Sequence, residues 1–481
     1  MARAAVSTNK LSQENLAANI YAKVLDETEK AYDLTGSDAT KDKLSYGLLV
    51  MDLISNGGLI AGMVTASGPE QSGKSTLTMT AMRSGIKLKI PFIAHCDAEG
   101  TAQTDPDYAA AILRVKSLDE VYGQKLNGVW RLPPKVRYWD TTILESYFDS
   151  LVHTLNRLPD KIYSREREQW FLRIAREGRY AKRQAAFIKL GEPDGKLSNK
   201  QYIWIATDNP YPQALIVPDS YVTYLSEDID EKEEMSDALS IQARDFAKHL
   251  RRIVGKFRRK QVVVFGVNQQ RERPGMVMGP KIYEPGGNAL KLYSSVRYIL
   301  TPRAVPEKWR HDKKFSQYNL EQSVEGDGDD AYAYKHIKNI KNKAGTPWLE
   351  CWTRVWVKDR RGQGRGFDPV YDTAQFLFMT GLAIEGKHHA IQFAKSDLHP
   401  FSGKLLSWQE FKALIIAEEY RSEAAIHIAN KVLRRVKGGG DAIKLRALCF
   451  RWIRNGKAME LLNSNVTKTA KRREAFADLE K

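Results

Sequence analysis

The stretch SGPEQSGKSTLTMTAMRSG, Ser67 to Gly85, constrains this chain more than any other. Gly68 is followed by Pro69, Glu70, Gln71 and Ser72, and then by Gly73-Lys74-Ser75-Thr76. Glycines at that spacing let backbone N–H groups turn inward around a phosphate. A lysine placed like Lys74 reaches β- and γ-phosphates, and a hydroxyl placed like Ser75 holds Mg²⁺. GMVTAS, Gly62 to Ser67, reads as a short buried strand. Thr76 to Met82 reads as the first turns of a helix, whose N-terminus favours an anion. A plain glycine turn before a helix is the alternative. The order strand, loop, helix favours a nucleotide site and commits this part of the chain to an α/β architecture.

At 481 residues, 42% hydrophobic and with ten tryptophans, the chain is long enough for roughly two or three globular domains. Cys96, Cys351 and Cys449 are far apart and form no CxxC pair, which suits a reducing compartment and argues against disulfides or a zinc site. The start, MARAAVSTNKLSQENL, has no apolar core of the signal-peptide kind. The longest apolar stretch, Leu48 to Ala66, is broken by Asp52, Ser55 and Asn56. The expectation is a cytoplasmic protein without a membrane span. A net charge of +17 predicts a polyanionic partner, nucleic acid or an acidic membrane surface, with nucleic acid favoured.

Leu11 to Tyr32 has the apolar stripe of an amphipathic helix, and the polar stretch Thr35 to Lys43 reads as a linker. Strand patterns follow: GMVTAS, PFIAHCD (Pro91 to Asp97), VRYWD (Val136 to Asp140), ALIVPD (Ala214 to Asp219) and QVVVFGVNQ (Gln261 to Gln269). Helical patterns separate most of them, which predicts a largely parallel sheet. One charged and aromatic block, from about Arg157 to Asn209, interrupts this rhythm. It reads as a helical insertion with Trp170, Phe171 and Ile174 on a core face and arginines in solvent. Such a block is either a solvated surface excursion or a contact for DNA or a partner. From about Ser407 the chain reads as helical and basic, with Lys431, Arg434, Arg435 and Lys437 before a triple glycine and Lys444, Arg446, Arg451 and Arg454 after it.

Asp219 ends an apolar strand, where a carboxylate can orient the water shell of Mg²⁺ beside the phosphate loop. Pro218 removes a ladder N–H from a strand that should be central. Glu99 lies just past PFIAHCD, and strand C-terminal ends line the ligand crevice of an open α/β sheet. It can orient and deprotonate a water, or it is a capping or surface residue. Gln269 follows Asn268 at the end of VVVFGV, where an amide could sense a γ-phosphate and signal to the loop Gln270 to Gly287. That loop mixes Arg271, Arg273 and Lys281 with Met276, Val277 and Met278. Cations there meet phosphates and apolar tips wedge between bases, unless the loop is only a mobile connection.

Together these residues resemble the RecA-type recombinases of bacteria and phages, from about Leu44 to Phe378 outside the insertion. GPEQSGKSTLT resembles the family's phosphate loop. CDAEGTAQTDPDYA, Cys96 to Ala109, resembles the segment with the catalytic glutamate, here Glu99, and the adenine-holding Asp105 and Tyr108. NQQRERPGMVMG and GGNALKLYSSVR resemble the switch glutamine, the second DNA-binding loop and the helix after it. The DNA-binding residues implied are Arg271, Arg273, Met276, Val277, Met278, Gly286, Gly287 and Asn288. IKNKAGTPW, Ile340 to Trp348, resembles the segment whose two lysines, here Lys341 and Lys343, reach a neighbouring subunit's ATP. The insertion is a departure from the bacterial proteins, and Ser226 to Asp237 is acidic where the first DNA-binding loop would lie.

The resemblance implies an α/β fold: a RecA-type P-loop ATPase core with a mostly parallel sheet, an N-terminal helix and a small helical C-terminal domain. The boundaries are 1–43 for subunit packing, 44–378 for the core with its insertion at about 158–209, and 379–481 for the basic C-terminal region. The cofactors implied are ATP and Mg²⁺. The partners implied are single-stranded DNA, homologous double-stranded DNA and further copies of the chain in a helical filament. Size and departures suggest a divergent, phage-encoded member. A hexameric DNA helicase on the same core is the nearest alternative, and GGNALKLYSSVR weighs against it. A non-hydrolysing DNA-binding scaffold is the alternative that Pro218 and the acidic segment leave open.

Overall fold

The computed structural model describes residues 43–164, 166–179, 181–185, 192–226, 238–272, 282–285, 287–302, 324–325, 332–356, 366–386, 390–396, 400–437 and 444–465. The expected helix Leu11 to Tyr32, nearly all of the acidic segment and the C-terminal tail lie outside these residues. In chain order the elements are α1 (Leu49–Ile54), β1 (Gly62–Gly68), α2 (Lys74–Lys87), β2 (Phe92–Asp97), α3 (Pro106–Leu113), β3 (Arg137–Trp139) and α4 (Leu144–Arg157). Next come β4 (Asp160–Ser164), β5 (Gln169–Ala175), β6 (Tyr202–Thr207), β7 (Ala214–Asp219), α5 (Ala238–Arg259), β8 (Val262–Gln269), α6 (Gly287–Tyr293) and β9 (Ser294–Thr301). The last are β10 (Tyr332–Asn342), β11 (Glu350–Trp356), α7 (Pro369–Met379), α8 (Trp408–Tyr420), α9 (Glu423–Lys437) and α10 (Leu445–Arg454).

A ten-stranded sheet has the order Gly366–Phe367, β11, β10, β9, β1, β8, β7, β2, β3, with Val324–Glu325 added to β10. From β9 to β3 every neighbouring pair is parallel. From β9 to β11 the pairs are antiparallel. The short connection from β10 to β11 allows only that direction, since a parallel return needs a crossover of a dozen residues or more. Every residue of β1 and β7 is buried. Strands covered on both faces read as continuous apolar runs, which is why GMVTAS and ALIVPD stood out. The β8–β7 ladder ends at Val264↔Ile216, before Pro218, while the β2–β7 register continues through Cys96↔Pro218.

Residues Arg157–Pro210 form a compact unit of their own, and the stretch up to Asn156 joins the stretch from Tyr211 in another. The insertion is not helical, as its charge pattern had suggested. Its frame is a three-stranded antiparallel sheet, β4–β5–β6, with one short helix, Ala181–Ala185. The β-branched and aromatic residues of DKIYS, QWFLRIA and YIWIAT favour strands over helix. Trp170, Phe171 and Ile174 are buried as expected. Arg173 lies over the Tyr202 and Trp204 rings and pairs with Asp160 at 2.9 Å.

The C-terminal helices share one apolar cluster with the main sheet, through Phe411, Leu414, Leu445 and Trp452. Lys431, Arg434, Arg435, Arg451 and Arg454 are exposed, as a basic face requires, but Arg446 is buried. It pairs with Asp372 of α7 at 2.5 Å and with Glu419 of α8 at 3.0 Å, and it donates to the Gly47 carbonyl at 3.1 Å. Asp372 also accepts the Leu49 and Val50 N–H groups, so one carboxylate fixes α1, α7 and α10. Among the described residues no helix is long and apolar enough to cross a membrane.

Two stability predictions follow from these buried charges. Arg446→Met leaves the buried Asp372 without its cation, while Glu419 keeps Arg114, and should cost about 3–5 kcal/mol in urea unfolding. Asp52, buried on α1, is raised by burial to about 8 from its ordinary 3.8, although it accepts from Ser45 and Tyr46. A carboxyl raised in the folded state stabilises while protonated and loses that contribution as pH rises toward its folded value. Asp52→Asn should therefore gain on wild type between pH 4 and 8, by up to about 1.4 kcal/mol per pH unit in paired urea titrations.

Candidate nucleotide-binding site

The turn from β1 to α2 holds the candidate phosphate loop. Gly68 has no room for a side chain, because a Cβ there would stand 2.2 Å from the Leu300 carbonyl oxygen of β9. Gly73 caps α2 with φ +90 and no side-chain cap. The first N–H groups of α2 are therefore left for a ligand. Lys74 is buried, and its Nζ donates to the Pro69 carbonyl at 2.6 Å. Burial lowers its pKa, against the pull of Asp219, Glu99 and Glu70. A cavity of about 380 Å³ opens here, lined by Glu70 to Thr76 with Glu99, Tyr108, Gln269, Lys335 and Val355 among others. That is within the usual range for a small-molecule site.

Parallel register gathers the other candidates at the same edge. Gly68 stands opposite Gln269, and Asp97 opposite Asp219. Glu99 follows β2, and its N–H donates to the Asp219 carbonyl at 3.2 Å. Its turn is fixed by Asp97, whose carboxylate accepts the Thr101 and Ala102 N–H groups at 2.9 and 2.8 Å. The Glu99 carboxylate accepts from Gln269 Nε2 at 2.7 Å and from the hydroxyls of Ser220 and Thr223. Asp219 is fully buried, and burial brings it up to about 7, with Ser75 opposing. Ser75 is close enough to act on it, yet both Asp219 carboxylate oxygens lack a closed hydrogen bond among the described residues. A buried carboxylate left open beside Ser75 and the loop fits Mg²⁺ arriving with a polyphosphate. Among the described residues no group of three or more His, Cys, Asp or Glu could hold a metal alone. Mg²⁺ is often bound through one or two carboxylates plus substrate phosphates.

Tyr108 reaches the loop, where its hydroxyl bonds Thr76. Asp105 does not line the cavity; it caps α3 by accepting the Tyr108 N–H at 2.9 Å. Past Gln269 the chain forms a two-stranded ribbon, Arg271–Glu272 against Ile282–Tyr283, with Arg271 exposed. Asn268 donates to the Pro285 carbonyl at 2.9 Å and so ties both ends of this loop to β8. Arg273, Met276, Val277, Met278, Lys281 and Gly286 lie outside the described residues. Gly287 and the exposed Asn288 open α6. Lys341 and Lys343 stand at the end of β10, away from the phosphate loop, with Lys341 donating to the Lys291 carbonyl at 2.7 Å. Burial, Lys343 and Arg297 all lower the Lys341 pKa, so the three cations form a cluster.

Residues 212–351 match the family model of the RecA N-terminal domain. Protein RecA of Mycoplasma mobile is 32% identical over 142 residues, covering 29% of this chain and 37% of that protein. Protein RecA of Thermus aquaticus is 29% identical over 151 residues, covering 31% and 37%. That of Mycoplasmopsis pulmonis is 39% identical over 141 residues, covering 29% and 36%. Over this stretch the chain is similar to RecA proteins. It spans little more than a third of the length of these relatives, 36–37%. The family-model match begins at 212, after the phosphate loop. The β1–β8 pairing carries the loop to the matched part, placing Gly68 against Gln269.

Sequence reasoning missed three contributors: Ser220 and Thr223, which hold Glu99, and Lys335, which lines the cavity from β10. The two hydroxyls had a local signal, since they lie within four residues after Asp219. Lys335 had none, because only the sheet order brings β10 near the loop. Lys74→Ala should lower ATP affinity by about tenfold to a hundredfold in calorimetric titration, the worth of charge-assisted bonds to phosphate. Asp219→Asn should remove most of the dependence of that affinity on Mg²⁺ while leaving the Mg²⁺-free value within about threefold.

Proposed function

We propose that this chain binds and hydrolyses ATP with Mg²⁺ and, as a helical filament on single-stranded DNA, pairs and exchanges homologous strands. The observation that carries this reading is the 2.7 Å bond between Gln269 and Glu99 at the mouth of the phosphate-loop cavity. Gln269 ends β8 and leads directly into the ribbon that begins at Arg271. One amide thus touches both the residue suited to activate water and the loop suited to meet DNA. ATP supplies the transferable γ-phosphoryl group, and Mg²⁺ neutralises its charge. Lys74 and the N–H groups of the loop bind the phosphates, and Ser75 and Asp219 hold the metal. Glu99 takes the proton of the attacking water. Arg271 and the residues through Asn288 meet the DNA backbone and bases. Tyr108 meets the adenine base from the cavity wall, and Asp105 supports it by capping α3.

Lys341 and Lys343, clustered with Arg297, act on the ATP of a neighbouring subunit, so hydrolysis depends on assembly. A cation supplied across an interface stabilises the charge that develops in phosphoryl transfer.

Phosphate release measured with and without single-stranded DNA tests the reading, with electron microscopy of the assemblies. DNA-stimulated release from filaments is expected; release that ignores DNA, or closed rings, would overturn it. Glu99→Gln should keep ATP affinity within about threefold and slow release by at least about a hundredfold. A Lys341→Ala, Lys343→Ala double variant and a Lys74→Ala variant should each be inactive, yet regain release when mixed. Mixed filaments that stay silent at every ratio would refute action across the interface.

A further inference from the structure

Strand β10 sets a second ammonium against the phosphate loop. Lys335 is 5% exposed, and its Nζ donates to the Gln71 carbonyl oxygen at 2.6 Å. Its Cγ, Cδ and Cε atoms lie 3.7–3.8 Å from where a Cβ on Gly73 would stand, so it runs along the loop. It lines the same cavity as Lys74, Glu99 and Gln269.

The charges around the two lysines differ. Lys74 is steadied by Asp219, Glu99 and Glu70. Burial lowers Lys335 to about 8, and the charge acting on it is Lys74, of the same sign. Among the described residues no ion pair joins Lys335 to a carboxylate. A buried ammonium held by a carbonyl alone is costly. Pinning that carbonyl would need one neutral N–H and no charge beside Lys74. A lysine has three donors, so it can keep the Gln71 carbonyl and offer the rest to an anion.

We propose that Lys335 is a second phosphate-binding cation of this site, supplied by the chain's own β10 and donating to an oxygen of the nucleotide's phosphate chain. The proposal rests on the nucleotide reading of the loop and adds a ligand-binding residue to it.

Calorimetric titration of the full chain with ADP and with inorganic pyrophosphate tests it, on wild type, Lys335→Met, Lys335→Gln and Lys335→Arg, each checked for folding by thermal melting. Met and Gln should both lose about tenfold or more in affinity for both probes, and Arg should stay within about threefold of wild type. Gln near wild type would mean that a neutral donor suffices and that Lys335 only pins the loop, which overturns the proposal. Unchanged affinity in Met overturns it too, as does equal loss in all three variants. A wild-type chain that binds neither probe would instead overturn the nucleotide reading itself.

Discussion

The parallel register of β1 with β8 and of β2 with β7 decides which side chains meet above the phosphate loop. Gly68 faces Gln269 and Asp97 faces Asp219, so the turns that follow release Lys74, Glu99 and Gln269 at one edge. Because side chains alternate along a strand, a slip of one residue would turn Asp219 to the other face of the sheet. The apolar runs VVVFGV and ALIVP resist that slip, since both faces of these strands are covered. The site's geometry is thus a by-product of packing that is indifferent to any ligand.

Three buried cations show how the surroundings give similar charges different work. Arg446 sits between Asp372 and Glu419; burial opposes its charge, but the two carboxylates hold the guanidinium above its ordinary value. Its needs are met inside the chain, and it serves as a clamp. Lys74 is balanced by carboxylates that are themselves placed to do chemistry. Among the described residues, Lys335 has only a carbonyl and a neighbour of like charge. Moving along that series, the missing compensation increases, and with it the pull on an incoming anion.

The local features were the legible ones. The glycine loop after β1, Asp219 at a strand end and Gln269 at another could be placed because each sits within a few residues of the strand that carries it. The parallel half of the sheet was legible for the same reason, from apolar runs separated by helical patterns. The insertion was misread because its arginines suggested a solvated helix, whereas Arg173 lies over Tyr202 and Trp204 and leaves the β-rich pattern to decide. Arg446 was placed on a basic face because its carboxylate partners stand at positions 372 and 419, too far along the chain for any local pattern to show. Lys335 was invisible for that reason as well.

Strand β10 carries Lys335 at one end and Lys341 at the other, six residues apart. At about 3.3 Å per residue, that is a rigid span of about 20 Å. In the proposed filament one end of this rod would rest on a subunit's own phosphates and the other on its neighbour's. The spacing between successive sites would then be measured by extended backbone, hydrogen-bonded along its length to β9 and β11, and not by flexible side chains. A ruler of that kind keeps its length under tension, so pulling on DNA would be felt as a change of angle between subunits and leave each site's internal distances intact.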